Sequence, residues 1–310
     1  MKQPIICVVG PTASGKTRLA VELALALDGE VLSCDSMQLY RGMDVGTAKP
    51  TREEMRGVPH HMIDVIDPGE SFSVRRDGEL ADPILQDILA RGQTCVVAGG
   101  TGLYVDSLMA GRSFAPFPQT GRRHELERLA REKGIDAVMQ ILREHDPESA
   151  ERIHPANEKR VIRAAEVFLE TGKTITQHNK ETAAQPPKYQ PLWIGLDFTS
   201  RAALYARIDR RVDEMLRQGL MEEIGGLLAA GTPPTATSLQ AIGYKEPMAA
   251  LRGEMTMDEA VEAVKRESRR YAKRQLTWFR RNGDIHWIFQ EEPVVFERTW
   301  QRAMEILEAP

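Results

Sequence analysis

The sequence is short of cysteine and of long hydrophobic runs, and both shortages narrow the class of protein. Three cysteines occur in 310 residues, as Cys7, Cys34 and Cys95. Their spacing does not fit a metal site, and each lies in an apolar, strand-like run, so we expect reduced thiols in the core of a cytoplasmic protein. No apolar run approaches the ~20 residues that a membrane-spanning helix needs. We therefore expect no membrane partner.

The sequence also lacks a strong charge imbalance, internal repeats and low-complexity tracts. Its 41 Lys and Arg residues and 45 Asp and Glu residues give a formal net charge of -4. This balance argues against indiscriminate coating of nucleic acid but leaves room for a local basic face. A 42% hydrophobic and 28% charged content is typical of a globular protein with one large domain or two modest ones. Lys2 is followed at once by an apolar strand, so we expect no signal peptide.

A phosphate-binding loop is the most specific motif in the chain. Residues Gly10 to Thr17 fit the pattern G-x-x-x-x-G-K-[ST]. The apolar, β-branched run over 4–9 predicts a strand before the loop, and apolar spacing from Lys16 to Leu27 predicts a helix after it. Backbone N–H groups and the helix N-terminus of such a loop bind phosphate, Lys16 pairs with phosphate oxygens, and Thr17 can ligate Mg²⁺.

Strand and helix patterns alternate through the first hundred residues, which predicts an α/β fold with a parallel sheet. The further predicted elements are strands over 30–34, 61–66 and 94–98, a helix that Ser73 caps and that runs to about Arg91, and a helix over 103–109. Ligands of such sheets gather at the carboxyl ends of the strands. We therefore expect the phosphate loop, Asp35 and the glycine-rich segment Gly99 to Gly102 around one crevice.

Helical periodicity replaces the strand pattern in the middle of the chain. Pro116 and Pro118 interrupt the chain before it, and the polar, proline-rich segment 179–191 predicts a loop after it. Strand character then returns over 192–196, which we expect to rejoin the sheet. We interpret the chain as an α/β catalytic core with a helical C-terminal region, formed by residues 1–111 and 191–310, with a helical insertion over 112–190.

A strongly basic helix is predicted near the C-terminus. Thr256 and Glu259 form a capping box that opens a helix running towards Arg281. Its cationic residues are Lys265, Arg266, Arg269, Arg270, Lys273, Arg274, Arg280 and Arg281. Within 265–281 only Glu267 opposes them, so this helix is either a solvated face or a contact for RNA phosphates, with aromatic residues interleaved. A phosphate loop for one ligand together with a basic helix for a second, polyanionic ligand indicates a protein with two substrates.

An expected acidic residue is missing from the strand over 94–98. Nucleotide kinases and NTPases carry an acid at a strand end to hold the hydration shell of Mg²⁺, but this strand ends in Gly99 and Gly100. The acid instead follows the second strand, as Asp35. A lone Asp at a strand end is often a turn residue. Here, however, Ser36 and Gln38 add a hydroxyl and an amide, and the amide suits an adenine edge.

Four segments taken together resemble the tRNA dimethylallyltransferase (isopentenyltransferase) family. They are Gly10 to Thr17, Asp35 to Tyr40, Gly99 to Tyr104 and Arg269 to Arg280. The resemblance covers nearly the whole chain in order, including a helical insertion. It implies an enzyme with a P-loop NTPase-like core. A single large nucleic-acid substrate is compatible with a monomer, which we expect here. The implied reaction transfers a dimethylallyl group from dimethylallyl diphosphate, with Mg²⁺, to N6 of adenosine 37 of tRNA.

The resemblance also implies the roles of residues in the crevice. The implied diphosphate contacts are Gly10, Thr12, Ala13, Ser14, Gly15, Lys16, Thr17 and Arg217, with Thr17 also on Mg²⁺. Arg207, Arg210 and Arg211 remain alternatives to Arg217. Asp35 is the implied general base, a role worth about 10²–10⁴-fold in rate. Thr101 is implied to position the reacting centre or the tRNA, whose target base must be flipped into the crevice.

The remaining implied contacts are with tRNA. They are Asp35, Ser36, Met37, Gln38, Thr101, Arg123, Lys159, Arg160, Val161, Ile162, Arg163, Gln240, Ala241, Ile242, Gly243, Tyr244, Lys245, Lys273, Arg274, Gln275, Leu276, Thr277, Trp278, Phe279 and Arg280. Gly243 predicts a tight turn that presents Tyr244 for base stacking, although core packing explains Tyr244 equally well. The cations at 159–163 have helical spacing, and a solvated surface is the alternative for them.

Three other functions stay open at the level of sequence. A P-loop nucleotide or small-molecule kinase explains the N-terminal motif but neither the missing acid nor the basic helix. A free-adenylate isopentenyltransferase would not need the large insertion. A non-catalytic RNA-binding module would leave Lys16 and Asp35 with structural roles only.

Overall fold

A six-stranded sheet forms the centre of the larger part of the molecule, in a computed structural model that describes residues 5–112, 120–183 and 186–309. Its strands are β1 (Ile5–Val9), β2 (Gly29–Ser33), β3 (His60–His61), β4 (Thr94–Gly99), β5 (Leu192–Phe198) and β6 (Ile285–Gln290). Their order is β3-β2-β4-β1-β5-β6, and every neighbouring pair is parallel. The predicted α/β class with a parallel sheet is confirmed.

Helices connect the strands, and several begin at the predicted caps. Within the described ranges they are α1 (Lys16–Ala26), α2 (Arg52–Met55), α3 (Val74–Ala90), α4 (Gly102–Ala110), α5 (Arg122–Lys133), α6 (Ile135–His145), α7 (Pro147–Arg152), α8 (Glu158–Thr171), α9 (Ile175–Ala183), α10 (Arg201–Arg217), α11 (Leu220–Ala229), α12 (Lys245–Leu251), α13 (Met257–Phe279) and α14 (Phe296–Glu308). Ser73 caps α3, and Thr256 with Glu259 forms the predicted capping box of α13. None of these described helices is both long and apolar enough to cross a membrane.

Alternate residues of the central strand β1 face two separate cores. Cys7 and Val9 pack in a cluster with residues of α3, α4 and α11, whereas Ile6 and Val8 pack with residues of α1 and α14. A parallel strand that is covered by helices on both faces must be apolar throughout. This arrangement explains why β1 reads as an uninterrupted hydrophobic run.

Residues 112–187 form a compact unit distinct from the unit made by residues 1–111 and 188–310. Helices α5 to α9 enclose a hydrophobic core of their own, which includes Leu126, Val138 and Val161. The insertion predicted from the sequence extends three residues further, to 190. The helices predicted between residues 121 and 172 correspond to α5 to α8, and Gly172 ends α8 with a φ of 68°.

The predicted third strand is much shorter than expected. It was expected over 61–66, but β3 contains only His60–His61. Met62 and Asp64 adopt positive φ angles of 59° and 55°, which turn the chain out of the extended conformation. Ile66 forms only an isolated parallel bridge with Tyr40, outside the strands of the sheet.

The loop predicted over 179–191 also begins later than expected. Helix α9 continues through Ala183, so the first five residues of that segment are helical. The strand predicted after the loop is confirmed as β5, which pairs with β1. Pro4, Pro116 and Pro118, which entered the sequence predictions, lie outside the described residues.

Candidate active site

The phosphate loop and Asp35 line one cavity of about 800 Å³ at the carboxyl edge of the sheet. The loop follows β1, Asp35 lies two residues beyond the end of β2, and Gly99 ends β4. These three strands are neighbours in the sheet, so their carboxyl ends converge at one place. Thr101 follows β4 at the same edge, and its Oγ1 accepts a hydrogen bond from Ser36 N, next to Asp35, at 3.1 Å. The predicted crevice therefore exists.

The backbone of the phosphate loop is held in a conformation that requires glycine. Gly10 has a φ of 143°, and a Cβ atom there would lie 2.4 Å from Leu196 O of β5. Gly15 has a left-handed φ of 88° at the start of α1. Ser14 is 1% exposed, and its Oγ has no hydrogen-bond partner among the described residues. A buried hydroxyl that lines the cavity in this way is suited to bond a phosphate oxygen.

Lys16 lies in the loop with its Nζ donating to Pro11 O at 2.7 Å. Burial, together with the nearby positive charge of Arg211, lowers its pKa to about 7, while Asp35 acts in the opposite direction. Removing an ammonium group from water disfavours its charged form, and an arriving anion restores that form. The Lys16 side chain is therefore sensitive to negative charge in the cavity.

Two arginines of α10 contact the phosphate loop directly. Arg211 Nη1 donates to Thr12 Oγ1 at 3.1 Å, and Arg207 Nε donates to Ala13 O at 3.1 Å. Burial lowers the pKa of Arg211, although an arginine stays protonated. These two side chains place fixed positive charge beside the loop.

The other two candidate arginines are engaged elsewhere. Arg210 pairs with Glu292, which Arg207 also contacts at 3.5 Å, but no bond from Arg210 to the phosphate loop is described; Arg217, with 68% of its side chain exposed, pairs with Glu214. Arg217 lines the cavity, but no bond to the phosphate loop is described for it. The geometry therefore favours Arg211 and Arg207 over Arg217, which was the choice made from the sequence.

Asp35 and Gln38 face the cavity from the segment after β2. Asp35 Oδ1 accepts a hydrogen bond from Met37 N at 2.9 Å, which holds the carboxylate in a turn. Gln38 Oε1 accepts from Ser33 Oγ at 3.1 Å, and its Nε2 donates to Ala48 O at 3.4 Å. Both side chains are thus held in place before any ligand arrives.

The protein oxygens in the cavity are too few to bind Mg²⁺ alone, but they suit an ion that is also bound by the phosphates of a substrate. No cluster of three or more His, Cys, Asp or Glu side chains suited to a metal ion occurs in the described part of the chain. Thr17 at the start of α1 and Asp35 nevertheless offer oxygen atoms to the same cavity. Mg²⁺ usually keeps several waters and takes one or two protein oxygens plus substrate phosphates. This sparse site is compatible with that mode.

The predicted tRNA residues of α13 divide into an exposed and a buried set. Lys273, Arg274, Thr277 and Arg280 are exposed, and Trp278 is partly so. Gln275, Leu276 and Phe279 are buried, with 5%, 4% and 1% of their surfaces exposed. The sequence prediction included these three among the tRNA contacts, and in the structure their side chains pack into the protein core, because an amphipathic helix buries one face.

Several charges of the basic helix are neutralised by acids from other elements. Lys265 pairs with Asp213 at 2.7 Å and Arg269 with Asp209 at 2.6 Å, and both acids lie on α10. Arg280 pairs with Asp197 at the end of β5, at 3.0 Å. The expectation that Glu267 alone opposes this charge holds only along the helix itself. For Lys273 and Arg274 no ion pair is described within residues 186–309.

Tyr244 is part of the core and not a stacking platform. Its ring is fully buried, and its hydroxyl donates to Glu223 Oε1 at 2.7 Å. Of the two roles that the sequence left open for Tyr244, the structure shows core packing. Gly243 before it has a positive φ of 94°, in agreement with the predicted turn. In the same segment Gln240 and Lys245 are exposed, whereas Ala241 and Ile242 are partly buried.

Glu223 is a residue that sequence reasoning missed. Its carboxylate accepts hydrogen bonds from three successive backbone N–H groups, those of Asp44, Val45 and Gly46, at 2.6, 2.7 and 3.1 Å. It thereby fixes the segment that lies next to Ala48 and Gln38 in the cavity wall. The only sequence signal was an acid in the first turn of a helix, which does not identify so distant a partner.

The predicted contacts in the insertion also divide by burial. Arg123 and Arg163 both donate to Glu166 Oε2, at 2.8 and 2.9 Å. Lys159 and Arg160 at the start of α8 are exposed, and no ion pair is described for them within residues 120–183. Val161 and Ile162 are buried in the core of the insertion. The side chains that this segment presents at the surface are therefore those of Lys159, Arg160 and Arg163.

Comparison with known proteins identifies the family. The IPP transferase family model matches residues 38–282, more than half of the chain, and the isopentenyl transferase model matches residues 3–66. A tRNA dimethylallyltransferase of Caldanaerobacter subterraneus subsp. tengcongensis is 45% identical over 305 residues, 98% of this chain and 97% of that protein. One of Halalkalibacterium halodurans is 47% identical over 307 residues, 99% of this chain and 96% of that protein.

Solved structures agree with these relatives. The full-length tRNA isopentenylpyrophosphate transferase of Bacillus halodurans matches with a TM-score of 0.74 and 43% identity, over 99% of this chain and 96% of that one. A eukaryotic dimethylallyltransferase acting on tRNA matches with a TM-score of 0.80 and 28% identity, over 97% of this chain and 78% of that one. These matches argue against the kinase alternative. The chain belongs to the IPP transferase family, and the relatives that it resembles over almost its full length are tRNA dimethylallyltransferases.

Proposed function

We propose that the chain transfers a dimethylallyl group from dimethylallyl diphosphate to N6 of adenosine 37 in tRNA and releases diphosphate. The observation that carries this proposal is the lining of one cavity by both the phosphate loop and Asp35. The loop suits an anionic leaving group, and the carboxylate suits a nucleophile that must lose a proton. Family membership supports this pair of substrates, and we propose the cytoplasm as the compartment of the reaction.

The leaving group is stabilised by positive charge that is in place before the reaction. As the bond between C1 and oxygen breaks, negative charge builds up on the diphosphate. Lys16, which is charged once the diphosphate is bound, stabilises that charge together with the backbone N–H groups of the loop and with Arg207 and Arg211. The Ser14 hydroxyl, buried without a partner among the described residues, adds a further donor.

The acceptor side depends on Asp35. The N6 amine forms its bond to C1 while its lone pair is still delocalised into the adenine ring, so it must lose a proton. Asp35 accepts that proton, while its bond from Met37 N keeps the carboxylate oriented. The products are the N6-alkylated base, diphosphate and the proton on Asp35. The base reaches the cavity only after extrusion from its stack, at a cost of a few kcal/mol.

Mg²⁺ is the proposed metal, held by the Thr17 hydroxyl together with substrate oxygens and water. When bound, it would neutralise negative charge on the diphosphate. Thr17 itself needs no movement for this role, because it lies at the N-terminus of α1 and lines the cavity.

Contacts with the tRNA backbone offset the cost of base extrusion. On the core these contacts are the exposed cations of α13, Lys273 and Arg274. On the insertion they are Lys159 and Arg160 of α8, for which we propose the anticodon region as the partner. A single large RNA substrate requires no second copy of the chain, so we propose a monomer.

The direct test is transfer of radiolabelled dimethylallyl groups to unmodified total tRNA in the presence of Mg²⁺. We expect label in tRNA and none in free AMP supplied in a parallel reaction. Label in AMP alone would identify a free-adenylate isopentenyltransferase. Absence of label from both acceptors, with folded protein, would refute prenyl transfer. The Asp35→Asn variant serves as the catalytic control.

A further inference from the structure

The side-chain amide of Gln275 on α13 joins two loops of the reaction centre. Its Oε1 accepts a hydrogen bond from Thr12 N at 2.9 Å, and its Nε2 donates to Gly100 O at 2.9 Å. One partner is an N–H donor and the other a carbonyl acceptor, so both ends of the amide are used in the only orientation that satisfies them. Gln275 is 5% exposed at the cavity wall, and both ends of its amide bond the protein itself.

Both hydrogen bonds end on main-chain atoms, so they fix the position of the backbone. Thr12 belongs to the phosphate loop, and Gly100 immediately precedes Thr101. Thr101 Oγ1 in turn accepts from Ser36 N at 3.1 Å, next to Asp35. A continuous series of bonds therefore runs from the phosphate loop through Gln275 to the segment that carries the carboxylate.

The close contact between Gln275 and the glycine-rich loop depends on glycine residues of that loop. A Cβ atom on Gly100 would lie 2.2 Å from Gln275 Nε2, so only glycine leaves room for this bond. The Trp278 ring packs against Gly102 in the same way, and its Nε1 donates to Asp106 Oδ2 at 2.7 Å. Helix α13 thus holds the glycine-rich loop at two points, of which Gln275 alone also reaches the phosphate loop.

We propose that Gln275 is a positioning residue that sets the distance between the diphosphate leaving group and the Asp35 side of the cavity. This inference rests on the proposed transfer reaction, in which N6 must be aligned with C1 of the allylic group. Misplacement of reacting groups by about 1 Å can cost about 10²-fold in rate. The amide of Gln275 prevents such a displacement of one loop relative to the other.

The informative substitution is Gln275→Glu, because its two protonation states differ in one hydrogen bond. A protonated carboxyl accepts from Thr12 N and donates to Gly100 O, as the amide does. An ionised carboxylate has no proton to donate, so it loses the hydrogen bond to Gly100 O and is repelled by that oxygen. We expect a kcat about 10–100-fold below wild type at pH 8. The ratio of variant to wild-type kcat should rise as the pH falls towards 6, with little change in the KM for tRNA.

Two further variants keep the test decisive. Gln275→Met removes both hydrogen bonds at similar volume, so its kcat should be low with a pH-independent ratio to wild type. Gln93→Glu is the control for the added charge, because it makes the same substitution next to Arg91, at the amino end of β4. Its kcat should stay close to that of wild type at every pH. Unfolding midpoints measured at each pH establish that the variants are folded at the assay temperature.

The outcomes separate this inference from the proposed function. Absence of tRNA prenylation by the wild-type chain would refute the reaction, and the inference with it. An active wild type with a Gln275→Glu profile parallel to its own, or a Gln275→Met kcat within about twofold of wild type, would refute the positioning role alone.

Discussion

The ammonium group of Lys16 is buried beside Pro11 O, and its pKa is lowered to about 7. Near neutral pH the free protein therefore holds this lysine only partly protonated. Bound diphosphate favours the charged form, so binding raises the pKa and takes up a proton. Because a proton is taken up on binding, the affinity for diphosphate increases as the pH falls. The contribution of Lys16 to that affinity decreases as the pH rises above about 7.

We predict that the affinity for inorganic diphosphate falls with rising pH between pH 7 and 9, by up to about tenfold per pH unit from Lys16. The Lys16→Arg variant keeps its charge at every pH and should show a flatter profile. Calorimetric titration of both proteins measures the difference, and the titration of the ligand cancels between them. Parallel profiles would contradict the assignment of Lys16 to the diphosphate.

Asp35 offers a second test at the level of one side chain. Asparagine can keep the hydrogen bond from Met37 N through Oδ1, so Asp35→Asn should remove the base without disturbing the turn. We predict a kcat lower by about 10²–10⁴-fold. Affinity for tRNA should change by less than about threefold. Single-turnover assays and filter binding provide the two measurements.

The matched control for Asp35→Asn is Asp67→Asn. Asp67 is 69% exposed in its pair with Arg41, so its substitution makes the same change of net charge at a surface site. We expect wild-type kinetics for it. A wild-type kcat in Asp35→Asn itself would exclude Asp35 as the base.

At the level of elements, local sequence signals were sufficient to predict where a helix begins when the capping residues lie within its first turn. The capping box of Thr256 and Glu259 and the cap at Ser73 are contained within four residues each, and both helices start where predicted. The phosphate loop was predictable for the same reason. Its motif contains the strand end, the glycines and the helix start together.

Interactions between residues distant in the sequence could not be predicted in this way. The acids that neutralise α13, Asp209 and Asp213, lie on another helix. Tyr244 and Gln275 are polar residues next to exposed ones, and only the tertiary structure shows that the core or the loops satisfy their hydrogen bonds. A single sequence shows residue types and spacing but not which buried group meets which partner.

Helix α13 carries two exposed cations, Lys273 and Arg274, that have no described ion pair within residues 186–309, which leads to a prediction for tRNA binding. Replacing Lys273 and Arg274 with alanine should weaken binding and reduce the dependence of log K on log salt by about 1.5, since each phosphate contact contributes about 0.7–0.9. Titrations with tRNA at several salt concentrations measure the slope. A control pair, Arg298→Ala with Arg302→Ala, lies on α14 and should leave the slope unchanged. An unaltered slope in the α13 variant would mean that this face is merely solvated.

At the level of the whole molecule, the two compact units each have a hydrophobic core of their own. The chain leaves and re-enters the larger unit at one place, because Tyr189 N donates to Met109 O at 3.0 Å. Gly111 and Lys188 are also in contact distance, since a Cβ atom on Gly111 would lie 2.6 Å from Lys188 Cβ. An insertion with adjacent ends can be removed without stretching the unit that receives it.

We therefore predict that replacing residues 112–187 with a short glycine-serine linker leaves a folded core that binds inorganic diphosphate within about twofold of the full chain. Its affinity for tRNA should fall by about tenfold or more, because the cations of α8 are removed with the insertion. Lys159→Ala with Arg160→Ala in the full chain is the matched control and should reproduce part of that loss. If the excised core bound tRNA as tightly as the full chain, the insertion would have no role in recognition. If it lost diphosphate binding while still folded, the phosphate loop would depend on the insertion, and the independence of the two units would be wrong.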